Sequence, residues 1–180
     1  MPPRILLTGR PGCGKTTVIK RAVELIGPDR CAGFYTEEVR EKGRRVGFDV
    51  VTLDGRRGPL ARAGARGPRV SRYGVDLASF EALGVATLER ALEAGRQVLV
   101  VDEIGKMELF SGRFTALLER LLGPSSDRAV LGTVLAGRHP EVDRLRRRRE
   151  PRIIEVRPRN RDGLPRELGE IYTEYLRKGS

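Results

Sequence analysis

The stretch Arg4-Ile5-Leu6-Leu7-Thr8-Gly9-Arg10-Pro11-Gly12-Cys13-Gly14-Lys15-Thr16-Thr17 decides the fold. Ile5 to Leu7 form an unbroken apolar run, the mark of a strand buried on both faces. From Thr16 the apolar residues fall at Val18, Ile19, Ala22, Val23 and Ile26, a spacing that predicts a helix with one core-facing stripe. Between them, Gly9 to Thr16 fits the pattern G-x-x-x-x-G-K-[ST]. Gly9, Gly12 and Gly14 have no side chain, so consecutive backbone N–H groups of the loop can wrap an anionic phosphate, aided by the positive end of the helix. Lys15 is then placed to reach the β- and γ-phosphates, the Thr16 hydroxyl to ligate Mg²⁺, and Thr17 to make a second phosphate contact. The implied ligand is a nucleoside triphosphate with Mg²⁺.

Further along, Val98-Leu99-Val100-Val101 predicts a second buried strand, over 97–101, that ends in Asp102-Glu103. Asp102 is a candidate magnesium ligand, through water, and Glu103, expected on the opposite face, a candidate for orienting or deprotonating an attacking water. This pair favours hydrolysis over binding alone. The segment Val101-Asp102-Glu103-Ile104-Gly105-Lys106-Met107-Glu108 is therefore assigned to the nucleotide site. Lys106 either offsets charge on the γ-phosphate or is a solvated loop lysine. Glu108 either fixes that loop or is exposed. Thr133 either senses the γ-phosphate or is an ordinary buried strand threonine. Catalysis is assigned to Glu103, Lys15 and Lys106.

The rest of the chain alternates apolar strands (129–135, 153–156) with helical patterns (77–94, 114–122, 140–147, 164–177), which implies a parallel sheet covered on both faces. The stretch 32–75 breaks the alternation. It reads as two strands, 32–39 and 46–53, joined by the loop 40–45, then the turn Asp54-Gly55 and irregular chain with a short strand near Leu60. The expectation is one α/β domain over 1–180, mainly parallel, with a small antiparallel β insertion at about 32–75.

Several strings match one family. Gly33-Phe34-Tyr35-Thr36-Glu37-Glu38-Val39-Arg40, Ser71-Arg72-Tyr73-Gly74-Val75, Asn160-Arg161-Asp162 and above all Asp102-Glu103-Ile104-Gly105-Lys106-Met107-Glu108-Leu109-Phe110-Ser111 resemble the THEP1-type nucleoside-triphosphatases. With the phosphate loop these strings reach from residue 9 to 162. The resemblance implies a three-layer, RecA-like P-loop core and slow Mg²⁺-dependent hydrolysis of ATP, GTP and other nucleoside triphosphates, with broad base specificity. Leu135 to Pro140 departs from the family pattern by its short length, so no role is carried onto Arg138. His139, before Pro140, reads as a surface loop residue.

The chain has 180 residues and a formal net charge of +11, with 35 basic residues against 24 acids. Arginines are scattered throughout, which points to solvated faces; the cluster Arg144 to Arg152 is the exception and the basis for a less favoured nucleic-acid partner. Its alternative is a helix end facing Glu141, Asp143 and Glu150. No apolar run reaches the ~18 residues of a membrane helix, and Cys13 and Cys31 lack metal-ligand spacing, so a cytoplasmic, reduced protein is expected. A kinase of nucleotides or small molecules is the alternative activity, with Arg56-Arg57 and Arg62 to Arg69 as a lid. Glu37, Glu38 and Arg40 either line the cleft or form a salt-bridged strand end. Asn160 to Asp162 either flank the base, or Asp162 caps the final helix. Oligomeric state is left open.

Overall fold

The computed structural model of the chain describes residues 1–95 and 98–179. Gln97, with which the sequence reading began its second buried strand, lies outside the described residues. The strands are β1 (Arg4–Thr8), β2 (Cys31–Glu41), β3 (Arg44–Thr52), β4 (Arg57–Ala63), β5 (Arg69–Val70), β6 (Tyr73–Val75), β7 (Val98–Ile104), β8 (Ala129–Val134) and β9 (Arg152–Glu155). The helices are α1 (Lys15–Ile26), α2 (Leu77–Phe80), α3 (Ala86–Glu93), α4 (Gly112–Leu122), α5 (Pro140–Arg146) and α6 (Leu164–Lys178).

One sheet runs in the order β5-β6-β4-β3-β2-β7-β8-β1-β9. The β2, β7, β8, β1 and β9 portion is parallel throughout. β3, β4, β6 and β5 continue it in antiparallel fashion. The stretch expected as an insertion is thus a wing of the same sheet, attached through β2. Its strands are longer than their sequence suggested: 40–45, read as a loop, closes as a tight turn at Lys42 (φ 48°) and Gly43 (φ 76°).

Two cores form because the buried strands alternate. Ile5, Leu7, Val98, Val100, Ala129 and Leu131 face α1 and α6. Leu6, Leu99, Val101 and Val130 face α3, α4 and α5. In the second core, Phe34 of β2, Phe80 of α2 and Phe114 of α4 meet edge to face with centroids 5.2–6.2 Å apart. Each such pair is worth about 0.5–1.5 kcal/mol beyond its burial, so this trio fixes two helices against the strand next to β7.

α2 and α3 are one helical stretch interrupted by a π turn at Glu81–Val85. The turn brings Glu81 to Ser111, whose hydroxyl donates to its carboxylate at 2.6 Å. Ser111 also caps α4, accepting from the Phe114 amide at 3.0 Å. The chain between β7 and α4 is therefore anchored at its far end.

Candidate active site

The carboxyl ends of β1 and β7 lie on one edge of the sheet with β8 between them. The loop after β1 turns through Gly12 (φ 77°) and Gly14 (φ 101°), left-handed conformations that side chains disfavour. Gly14 is the N-cap of α1, and no side chain caps the helix. Its first-turn N–H groups therefore point at whatever anion the loop receives. The Lys15 ammonium donates to the Gly9 carbonyl at 2.9 Å and to the Arg10 carbonyl at 3.2 Å.

Asp102 joins the two halves of the site. Its Oδ2 accepts from the Thr16 hydroxyl at 2.6 Å, and its Oδ1 accepts from the Thr133 hydroxyl at 2.6 Å. It is 2% exposed, and burial pushes its titration up while the two hydroxyls pull it down. Thr133 is a fully buried threonine of β8, and its hydroxyl donates to Asp102. A hydroxyl and a carboxylate, both hard oxygen donors with the carboxylate held from two sides, fit an ion that keeps most of its waters and takes the rest of its shell from phosphates, as Mg²⁺ does.

Strict alternation would send Glu103 to the face opposite Asp102. The β7–β8 register shifts between Val101 and Ile104, so pairing is irregular at this strand end. Glu103 is within electrostatic reach of both Asp102 and Lys15, and burial, then the Asp102 charge, raises its titration. Val101 and Ile104 are fully buried, which leaves only their backbone to a ligand, and Met107 packs on the second core. Gly105 is buried, and Lys106 is exposed at the site edge. Glu108 is not exposed, the second of its two readings; at 4% exposure it lies behind Gly105.

A cleft of about 230 Å³ opens beside the phosphate loop, lined among others by Gly12, Thr17, Arg21, Arg161 and Asp162. Thr17 thus faces this cleft. Asp162 is not a helix cap; Gly163 occupies that position in α6 with no side-chain cap. Asn160 holds the loop, accepting from the Arg157 amide at 2.8 Å and donating to the Glu155 carbonyl at 2.9 Å.

A profile of the NTPase family matches residues 4–169. The chain is 42% identical over 166 residues to the nucleoside-triphosphatase THEP1 of Thermotoga sp. strain RQ2, covering 92% of each chain. The chain belongs to this family. The human cancer-related nucleoside-triphosphatase is 43% identical over 178 residues, covering 91% of this chain and 93% of that protein. Among solved structures, THEP1 of Aquifex aeolicus superposes with a TM-score of 0.84 at 36% identity, covering 93% of this chain and 98% of that one. The P-loop fold class expected from Gly9 to Thr16 is therefore that of the THEP1 family.

Other candidates are placed differently from their chemical reading. Glu37 pairs with Lys20 at 2.7 Å and with Arg57, and Glu38 pairs with Arg40 and Arg45, so the charged end of β2 is a set of ion pairs. Arg57 and Arg62 both bind buried Asp49, and Arg56 binds Asp54 and Thr87. Three of the arginines read as a lid are thereby tied into the wing. In the Arg144 to Arg152 cluster, Arg144 and Arg148 bind Glu119 of α4, and Arg146 binds Asp143. Glu119 is a partner no sequence spacing signalled. His139 accepts from the Glu141 amide at 3.3 Å and caps α5. Among the described residues no helix is long and apolar enough to cross a membrane, and no group of three or more His, Cys, Asp or Glu is placed to hold a metal.

Proposed function

We propose that this chain hydrolyses nucleoside triphosphates to the diphosphate and phosphate with Mg²⁺, with water as acceptor. The observation that carries the reading is the junction Thr16–Asp102–Thr133, which links the phosphate loop to the carboxylate strand through two 2.6 Å hydrogen bonds. In this reading Lys15 exchanges the Gly9 and Arg10 carbonyls for β- and γ-phosphate oxygens. The loop N–H groups and the α1 dipole hold the β-phosphate. Thr16 and Asp102 hold Mg²⁺, which when bound draws charge from the β- and γ-oxygens. Glu103 orients the attacking water and accepts its proton as the γ-phosphoryl is transferred. Lys106, exposed at the same edge, offsets charge that develops on the γ-phosphate.

The base lies in the cleft between Thr17 and Arg161-Asp162. That cleft is open and its polar side chains are surface groups, which supports broad base use. One P-loop unit spans 1–180, and the wing shares its sheet. The cytoplasm, where nucleotide and Mg²⁺ abound, is the expected location.

Phosphate release is expected with each common nucleoside triphosphate, to need Mg²⁺, and to fall at least a hundredfold in Lys15→Ala. Adding nucleoside, sugar or nucleoside monophosphate is expected to leave ADP formation unchanged. Turnover that rises well above the basal rate with one such acceptor would make the chain a kinase.

A further inference from the structure

Glu108 is a buried acid that the reaction above does not use. It opens the short 3₁₀ turn Glu108–Phe110 after β7. The Leu109 amide donates to the Gly105 carbonyl at 3.0 Å and the Ser111 amide to the Glu108 carbonyl at 3.0 Å. The chain thus folds back beneath Glu103, and Ser111 is itself tied to Glu81. The Glu108 carboxyl accepts from the backbone amides of Gly105 and of Glu108 itself. No cation pairs with it among the described residues.

Gly105 shows how close the two acids are. A Cβ built there would lie 2.7 Å from the Glu103 Oε1 and 2.8 Å from the Glu108 Oε2. Both carboxyls therefore border the space that a side chain at 105 would fill, and any such side chain would press on them. Burial, then the neighbouring Glu103 charge, pushes the Glu108 carboxyl well above the usual carboxylate range. That direction favours the protonated form, the one that carries an O–H to offer a neighbouring acid. A leucine would fill the same space without the cost of burying a polar group. What leucine lacks is a hydrogen-bonding group facing Glu103.

We propose that Glu108 is a positioning residue for hydrolysis, holding the Glu103 carboxylate toward the attacking water across the gap that Gly105 leaves open. The proposal rests on the water-orienting role of Glu103. Positioning errors of about 1 Å can cost a hundredfold in rate, so the effect belongs in kcat.

The test is steady-state hydrolysis by Glu108→Leu, Glu108→Gln, Gly105→Ala and the double variant Gly105→Ala/Glu108→Leu, with melting curves and fluorescent-nucleotide binding measured beside it. Glu108→Leu is expected to lose at least tenfold in kcat, with KM and nucleotide affinity within about twofold of wild type. Glu108→Gln, whose NH₂ replaces the O–H, should recover most of that loss. Gly105→Ala should show the same kcat-only defect, and the double variant should be no slower than the slower single, since both remove one arrangement. Wild-type kcat in Glu108→Leu overturns the proposal. So do losses that add in the double variant, or that appear equally in KM and melting temperature. If Glu108→Leu does not fold, Gly105→Ala against Glu108→Gln decides: wild-type kcat in Gly105→Ala overturns it. Should Glu103→Gln itself hydrolyse normally, the reading of Glu103 has failed; should it be inactive while Glu108→Leu is active, only this proposal has.

Discussion

At Asp102 a buried carboxylate has each oxygen claimed by a hydroxyl from a different element, Thr16 of α1 and Thr133 of β8. A buried carboxyl left with a free oxygen rotates or protonates, and either change spoils a metal ligand. Thr133→Val keeps the shape and removes one donor. We expect it to raise the Mg²⁺ concentration for half-maximal hydrolysis about tenfold or more, in line with the about 10–100-fold cost of losing an outer-shell partner. Nucleotide affinity without metal should stay near wild type. Metal titrations of phosphate release and of fluorescent-nucleotide binding measure both, and an unchanged Mg²⁺ requirement would remove Thr133 from the site.

The joint between α1 and β2 belongs to the scale of elements. Lys20, one turn beyond Lys15, pairs with Glu37 at 2.7 Å and sits over the Tyr35 ring at 5.2 Å, while Arg57 of β4 pairs with the same carboxylate. The hydrogen bond from Lys20 first, then that from Arg57, holds Glu37 below its usual 4.5 against the opposing effect of burial. The folded chain thus binds the Glu37 proton more weakly than the unfolded one. The pair therefore stabilises fully above the unfolded pKa and is lost as pH falls through the lower folded one. Glu37→Gln should cost at most about 1 kcal/mol at pH 7, a melting shift of about 2–4 °C at this chain length. That difference should shrink to nothing once Glu37 is protonated in acid. A shift that is the same at neutral and acid pH would show that the charge contributes nothing to the joint.

Elements of this kind were unevenly legible in the sequence. β1, α1 and β8 fall within a residue of their expected bounds, since continuous apolar runs and a glycine loop are local signals. The wing was underestimated because Arg40 to Arg45 has the composition of a loop. Its strands form by pairing Arg40 with Arg45 and Glu41 with Arg44 around Lys42-Gly43, and cross-strand pairing has no local spacing to read. Glu108's burial depends on the 3₁₀ turn that follows β7, and Glu119 reaches Arg144 and Arg148 across 25 and 29 residues. Such contacts are set by tertiary approach. The residues proposed for the site were readable as candidates from Gly9 to Thr16 and Asp102-Glu103; their hydrogen-bonding partners were not.

For the whole molecule, one sheet sets the phosphate loop and the Asp102-Glu103 strand end on a single edge, while a number of the arginines are held in internal ion pairs. Arg57, Arg62, Arg144, Arg146 and Arg148 all bind carboxylates, so the charge of +11 overstates the basic surface open to a partner. The proposed Mg²⁺-dependent hydrolysis turns on Glu103 orienting the attacking water. Single-turnover phosphate release by Glu103→Gln, with nucleotide binding measured on the same preparation, tests it most directly. We expect binding within about twofold of wild type and a rate lower by about 10²–10⁴. Release at the wild-type rate by a variant that binds nucleotide normally would contradict it.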